Sequence, residues 1–447
     1  MLAEEDLVPA DLAASIARGI AKVIEEQDEP GSARSGNYLV FESRLLEVAG
    51  PEASRLHTGR SRQDIGSTMR RMVLREALLD SYEALLAARF SLLDLAAAHV
   101  DTVVPAYTHG VQAQPTTFAH YLLAFSAGFE RDAERLQQAY TRLNLSPMGA
   151  AALGTSGFRI NRERLAELLG FDALVENSYD ANLVSSVDSK IEFANALATS
   201  AITVGQFMQN LHTQYHDPVP WIRLEEGQTD VSSIMPQKRN PRPLDAVRLL
   251  ATGVVGSAQT VTLNAHNTNS GMNDYRPAAQ ALHTAAQAQA MYGAYVSVMT
   301  HLIVDKDRAL REVDSDYSTT TEIADVLLRD ANVPFRIGHH YASELTSYGR
   351  AAGKRPKELS DEELSRLYKD STGDKLPLDV AVIRQALDPT AMVKGRSGIG
   401  GPQTEEVMRM LARHNRSLEA GFEWLNASRS HLIDSAAGLE RNFLELK

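Results

Sequence analysis

The chain has 447 residues, of which 44% are hydrophobic and 23% charged, and its formal net charge is −12. An acidic chain without a basic cluster is a poor partner for nucleic acid or an anionic membrane. It contains no cysteine, which excludes disulfides and thiolate metal sites and fits a reducing cytoplasm. The N-terminus lacks the features of a signal peptide, and no apolar run reaches the roughly 18–20 residues of a membrane span. We therefore expect a soluble, cytoplasmic protein.

Long helices dominate the predicted secondary structure. Helical periodicity predicts five of them, at about 68–99, 117–143, 191–212, 245–266 and 278–304. In the third, apolar residues recur at spacings of three and four from Phe193 to Leu211, which predicts a single apolar face. Its other faces are rich in small residues, as is typical of a helix inside a bundle. The pattern predicts an all-α fold built on an elongated helix bundle.

The two ends of the chain differ from this middle part. From about Val313 the predicted helices are shorter and are separated by Pro and Gly, which indicates a separate small helical domain. The first residues also resemble a small unit. We predict a small N-terminal helical domain at 1–59, a central long-helix domain at 60–312 and a small C-terminal helical domain at 313–447.

The first of three polar segments with chemical potential is "LHTGRSRQD", at residues 56–64. It places Ser61 and Arg62 at the start of a long helix. A guanidinium can hold a carboxylate through two parallel hydrogen bonds. On the residues alone, a solvated helix start is the simpler interpretation.

The second segment, "YTHGVQAQPTTFAHYLL", starts at Tyr107. It carries His109 in a polar loop bounded by Pro, just before a predicted helix. Thr108 and Gln114 are neutral hydrogen-bonding side chains of the kind that line polar pockets. A lone His is more often structural than catalytic, so the segment by itself leaves both interpretations open.

The third segment, "SSIMPQKRNP", spans residues 232–241. Two hydroxyls and Lys238 precede a helix in which Pro243 suits the first turn, because its missing N–H would be unpaired there. Backbone amides at a helix start attract anions. The segment is therefore either a cradle for an anion or a linker between helices.

The same ten residues resemble the signature of the fumarase/aspartase superfamily, and their Gln-Lys pair resembles the argininosuccinate lyase branch. The first two segments resemble that branch's other signatures, and residues 146–181, 319–340 and "GRSGIGGPQTEEV" resemble its later stretches in the same order. The resemblance covers nearly all of the chain from about residue 10. It implies three helical domains and a homotetramer around a twenty-helix core, with each active site shared by three subunits.

Members of this superfamily release fumarate from substituted succinates. The resemblance implies that Ser232 is the base that removes the Cβ proton and that Lys238 and Asn240 bind the ligand. It places His109 on the acid side of the reaction, paired with Asp245 where the family has Glu. The chemistry implies no metal and no cofactor.

The resemblance also implies a set of substrate-binding residues. Ser61, Arg62 and Thr108 match residues that hold the succinyl carboxylates. Ser233 and Gln114 are expected to line the pocket.

Departures from the family pattern concern the substrate. Gln63 stands where the family has Asn, which moves the amide by one methylene beside the carboxylate-binding Arg. The arginine-binding stretch of the family corresponds here to "SGMNDYRPAAQALHTA", in which Tyr275 stands in for the family's Tyr. The acids of that stretch are missing, and Arg276 would repel a guanidinium, whose unpaired burial is costly.

Three functions therefore remain open from the sequence. The default is argininosuccinate cleavage to arginine and fumarate. The alternative is a related lyase of another N-succinyl amine or an aminopolycarboxylate such as ethylenediamine-disuccinate, running reversibly as amine addition to fumarate. The third is a non-catalytic crystallin-like relative, although the Ser, His and Lys whose loss would mark one are present.

Overall fold

The structure is a computed structural model that describes residues 1–272 and 277–447. Within those residues the protein is mainly helical, which confirms the all-α prediction. Tyr275 and Arg276, on which part of the substrate argument depends, lie outside the described residues.

The helices vary from one or two turns to more than ten turns in length. In chain order they are α1 Ala10–Asp28, α2 Tyr38–Ala49, α3 Arg62–Ala97, α4 Phe118–Leu143, α5 Arg162–Leu168, α6 Ser178–Leu183, α7 Ser185–Gln214, α8 Arg242–Ala265, α9 Ala279–Thr300, α10 Lys306–Val313, α11 Thr320–Ala331, α12 Phe335–Ala351, α13 Asp361–Thr372, α14 Val380–Leu387, α15 Pro389–Lys394 and α16 Thr404–Leu446. Short 3₁₀ helices cover Pro51–His57, Glu226–Gln228 and Pro356–Glu358.

The strands are short and pair two by two. They are β1 Val103–Thr108, β2 Val111–Thr117, β3 Leu145–Ser146, β4 Ala173–Leu174, β5 Ile222–Leu224, β6 Asp230–Val231, β7 Arg239–Asn240 and β8 Leu302–Val304. The pairs β1–β2, β5–β8 and β6–β7 are antiparallel, and β3–β4 is parallel. The hairpin β1–β2 occupies a stretch that was predicted to be a loop.

The five predicted long helices are confirmed as α3, α4, α7, α8 and α9. The predicted apolar face of α7 is buried from Phe193 to Leu211. Pro243 lies in the first turn of α8, as expected for a residue without a backbone N–H.

Buried apolar side chains form separate clusters. The largest runs through the five long helices and includes Leu418 and Leu425 of α16, so the last helix of the chain packs back on the central bundle. A second cluster joins α11, α12, α13 and α14. A third lies between α1, α2 and the residues just after them. The domain boundaries at residues 59 and 312 stay predictions.

Helix α8 is apolar, but other parts of the chain cover only part of its surface. Among the described residues it is the one helix that is long and apolar enough to cross a membrane by length and composition. Its most apolar 18 residues have a mean hydropathy of 1.2, and 33% of them are buried. A single such helix is weak support for a membrane span, because core helices pass the same test. Here α8 packs along α7 and α9. Its outer side leaves Leu249 and Leu263 exposed, and Leu249 lies beside the exposed Ile202 of α7.

Candidate active site

The first candidate segment forms the start of α3. Ser61 is the N-cap residue, and its Oγ accepts the backbone N–H of Gln63 at 3.2 Å. Arg62 opens the helix and is exposed, while Gln63 is half-buried. The arrangement gathers a hydroxyl, a guanidinium and an amide on one turn, where unpaired backbone N–H groups and the helix dipole also favour an anion.

Asp64 completes this turn, although no role was predicted for it. Its Oδ1 accepts the backbone N–H of Ser61 at 2.9 Å, so Ser61 and Asp64 form a capping box. Asp64 is fully buried, at 0% exposure. Burial raises the pKa of its carboxyl, and the backbone N–H groups around it act in the opposite direction. The signal that could have revealed it is the spacing Ser-x-x-Asp before a helical pattern.

The second candidate segment is the β1–β2 hairpin, whose two-residue turn is His109–Gly110. Both turn residues have positive φ, 54° at His109 and 78° at Gly110. That geometry is typical of the tight turn whose twist matches a hairpin, and His tolerates it better than most non-glycine residues. His109 is therefore exposed at the tip of the hairpin, next to Thr108 at the end of β1.

The hairpin is held in place from its second strand. Gln112 donates to the backbone oxygen of Val313 and to Ser318 Oγ, both at 3.0 Å, and Gln114 donates to Thr321 Oγ1 at 3.2 Å. These bonds tie β2 to the segment around α10 and α11. Gln114 was predicted to line the pocket. In one chain its amide instead donates a hydrogen bond to Thr321, in the C-terminal part of the chain.

A cavity of about 550 Å³ lies beside the first strand of the hairpin. His109 and Tyr107 line it together with Thr213 and Gln214 at the end of α7. The tip of the hairpin and the C-terminal end of α7 are therefore neighbours.

The third candidate segment is an exposed loop closed by the β6–β7 pair just before α8. Ser232 Oγ accepts the backbone N–H groups of Met235 at 3.1 Å and Ile234 at 3.4 Å. Donors aimed at an oxygen favour its anionic form. The two bonds are compatible with the base role predicted for Ser232, which stays a prediction.

The other predicted residues of this loop flank Ser232. Ser233 and Lys238 are exposed, so both can meet a ligand that lies over the loop. Asn240 Nδ2 donates to the backbone oxygen of Asp230 at 3.2 Å across the β6–β7 pair. In this arrangement Asn240 closes the base of the loop.

Asp245 was predicted to pair with His109. Within one chain its carboxylate instead lies 3.4 Å from His212 Nδ1 and 3.7 Å from Arg248 Nη1. His212 belongs to the end of α7, so this contact joins α7 to the start of α8. A pairing of Asp245 with His109 stays a prediction about contacts between chains.

The three segments do not meet in one chain. Helix α3 has 36 residues and is therefore about 54 Å long at 1.5 Å per residue. Ser61 caps its first turn, and the hairpin follows its last. Arg71, near the start of α3, donates to the backbone oxygens of Leu143 and Ser185, so α4 ends and α7 begins at that end.

The signature loop lies at the other end of the bundle. Helix α7 runs from the neighbourhood of Arg71 to the cavity beside His109, and the start of α8 contacts the end of α7 through His212. The hairpin and the Ser232 loop thus share one end, and the Ser61 turn occupies the opposite one. Within residues 1–272 and 277–447, no hydrogen bond or ion pair joins the three segments, and no three His, Asp or Glu side chains are grouped to hold a metal ion.

Comparison with known proteins agrees with the order of the motifs. Residues 2–256 match the family described as Lyase, and residues 317–394 match the family described as Argininosuccinate lyase C-terminal. An argininosuccinate lyase from Methanosarcina acetivorans is 32% identical over 442 residues, covering 98% of this chain and 88% of that protein. The chain belongs to the argininosuccinate lyase family of the fumarase/aspartase superfamily.

Solved structures with the same fold include EDDS lyases, which are named for a substrate other than argininosuccinate. The crystal structure of an EDDS lyase with formate superposes with a TM-score of 0.89 at 28% identity, covering 100% of this chain and 89% of that one. A doubly substituted variant of EDDS lyase with bound fumarate gives the same TM-score at 29% identity, with the same coverage.

Proposed function

We propose that this protein is a fumarate-forming carbon–nitrogen lyase that cleaves an N-substituted L-aspartate. The observation that carries the proposal is Ser232, whose Oγ receives two backbone N–H groups inside the loop that bears the family signature. Relatives similar over nearly the whole chain are argininosuccinate lyases. Argininosuccinate, cleaved to arginine and fumarate, is therefore the default substrate.

The reaction is a β-elimination. Ser232, as alkoxide, takes the Cβ proton, and the electron pair moves into the adjacent carboxylate to give a dianionic intermediate. That pair then forms the double bond of fumarate while the C–N bond breaks toward nitrogen. His109 delivers a proton to the departing amine. Because the Cβ proton is barely acidic, stabilising the dianion lowers the barrier most, and Lys238 with Arg62 supplies the positive charge.

The active site is completed by other copies of the chain. Arg62 and His109 flank a helix about 54 Å long, so one substrate cannot touch both within one chain. The exposed apolar side chains on α7 and α8, with Ile202 62% and Leu249 74% exposed, offer a face for packing against further long helices. We infer a cytoplasmic homotetramer whose sites each combine three subunits.

A second substrate class is favoured by a specific observation. The solved EDDS lyase covers this chain completely at a TM-score of 0.89. The acids that the family pattern has in this stretch are also absent from residues 270–285, where Asp274 is the one carboxylate. Another N-succinyl amine, or an aminopolycarboxylate such as ethylenediamine-disuccinate, is thus the alternative substrate.

One assay separates these substrates. The protein is incubated with fumarate and a panel of amines that includes arginine and ethylenediamine, and the loss of the ultraviolet absorbance of fumarate is followed. Fastest consumption with arginine supports the default substrate, and fastest consumption with a diamine supports the alternative. No consumption with any amine, and no fumarate from argininosuccinate, would contradict the proposed activity.

A further inference from the structure

Asp64 joins the substrate-binding turn to a second part of the chain. Its Oδ2 accepts the backbone N–H groups of Gly149 at 3.1 Å and Ala151 at 3.0 Å, while its Oδ1 accepts those of Ser61 and Ile65. Four donors on one fully buried carboxylate make this a strong and specific contact, because such bonds to charged groups are costly to lose. An interaction that only capped the helix would use the donors of Ser61 and Ile65 alone.

The loop that supplies the second pair of donors is itself held firmly. Arg162 donates to the backbone oxygens of Met148 at 3.2 Å and Val175 at 2.7 Å. The buried amide of Asn182 donates to the backbone oxygens of Ala151 at 2.7 Å and Ala152 at 3.0 Å. The loop is therefore a rigid base on which Asp64 can fix the start of α3.

Close packing between the Ser61 turn and the loop around Ala151 also supports a fixed arrangement of the two. Gly59, two residues before Ser61, has φ +66°, and a Cβ there would overlap the side chain of Ile160. Gly149, with φ +78°, faces the same Ile160 at 3.0 Å from its ideal Cβ position. Both glycines thus let Ile160 close the gap between the turn and the loop.

We propose that Asp64 is a positioning residue for fumarate and the succinyl group of the substrate, which rests on the proposed function. By fastening the turn of Ser61, Arg62 and Gln63 to the rigid loop around Ala151, it sets the direction of the carboxylate-binding groups. Asp64 does not touch the substrate. Its contribution is the geometry of the groups that do, and small displacements of such groups cost much of their effect.

Fumarate binding tests this role directly. Asp64→Asn leaves one acceptor oxygen but turns an amide NH₂ toward N–H groups, so at least two of the four bonds are lost. Fumarate, titrated calorimetrically into the intact assembled protein, is expected to bind about 10-fold or more weakly to this variant. Asn182→Ala, which loosens the loop from its other side, should weaken binding in the same direction but less.

The double variant distinguishes a shared loop from two separate defects. If both residues act through the same loop, the loss of fumarate affinity in Asp64→Asn with Asn182→Ala is smaller than the product of the two single losses. A matched control is Glu363→Gln in α13, which has the same capping box with Ser360. The control should lower the melting temperature without changing fumarate affinity.

The outcomes separate this inference from the proposed activity. Unchanged fumarate affinity in a folded Asp64→Asn protein would overturn the positioning role. If that variant does not fold, unchanged affinity in Asn182→Ala overturns it instead. A wild-type protein that binds fumarate but converts no amine contradicts the activity while leaving this test intact, whereas a wild-type protein that does not bind fumarate contradicts both.

Discussion

Arg62 and His109 lie at opposite ends of the same helix. Arg62 is the first residue of α3, and His109 is the first residue of the turn in the hairpin that follows its last turn. That helix has 36 residues and is about 54 Å long. Arg62, the proposed carboxylate-binding cation, and His109, the proposed acid, lie at opposite ends of this helix. They can serve one substrate only when they come from different copies of the chain.

Replacement of Ser232 by Ala removes the proposed base. We expect fumarate formation to fall by about 10²–10⁴-fold, the usual contribution of a positioned general base. Fumarate binding should persist, because Lys238 and Arg62 remain. Steady-state rates from fumarate absorbance, together with fumarate titration, measure both effects.

The neighbouring serine is the comparison for that variant. Ser233→Ala removes a hydroxyl from the same loop but leaves the Oγ that receives the two backbone N–H groups. It should lose much less activity than Ser232→Ala. Equal losses in the two variants would argue against Ser232 as the base.

The exposed face of α8 is predicted to be an interface. Leu249→Glu places a charge where the side chain is 74% exposed in one chain but would be buried between chains, which is costly for an unpaired charge. We expect light scattering to show smaller particles, and activity to disappear with the oligomer. Leu328→Glu, at an exposed position on α11, is the control and should keep both mass and activity. A monomeric wild-type protein with full activity would refute this interface.

The buried His414 is expected to make stability depend on pH. Burial lowers its pKa from 6.5 to about 4, and its Nδ1 lies 3.3 Å from both Arg89 Nη2 and Ser126 Oγ. Since the unfolded chain binds this proton more tightly, the free energy of unfolding should fall as the pH drops from about 6.5 to about 4. The loss amounts to at most about 3 kcal/mol.

The variant His414→Asn isolates this contribution, because its amide oxygen can accept near the position of Nδ1 but the side chain does not titrate. Urea unfolding at several pH values should give a flatter profile for the variant than for the wild type over that range. Asp132, whose pKa burial raises to about 6, acts in the opposite direction but is present in both proteins and cancels in the comparison. If the free energies of unfolding of the two proteins changed in parallel with pH, His414 would not be the source of this pH dependence.

The five long helices of the bundle could be predicted from sequence because their apolar periodicity runs over many turns. The residues from Phe193 to Leu211 illustrate this, since the predicted face is the buried one. The 43-residue helix α16 was missed, because shorter helices were expected after Val313. The hairpin that carries His109 was missed. Its strands contain Pro105 and Pro115 and do not alternate cleanly, and the pairing depends on contacts with residues about two hundred positions later.

The three motifs of the candidate site could be predicted from sequence, but their positions relative to one another could not. Ser232, His109 and Arg62 were identified by their resemblance to a family, whereas their separation depends on which end of each helix lies where. Asp64 was overlooked because its partners Gly149 and Ala151 are more than eighty residues away in the chain. The contact of Asp245 with His212 depends on the packing of α7 against α8, whereas Arg248 is its neighbour one turn later on α8 itself.

In the proposed tetramer each active site takes its Arg62 turn and its His109 hairpin from different subunits. The most direct test mixes Arg62→Ala and His109→Ala proteins, each inactive alone, by dissociation and reassembly. The account predicts that activity returns, because some mixed sites contain both wild-type side chains. Mixing Arg62→Ala with Ser61→Ala, whose defects lie in the same turn, should recover none. Failure of the first mixture to regain activity, although light scattering shows that mixed oligomers have formed, would contradict the account.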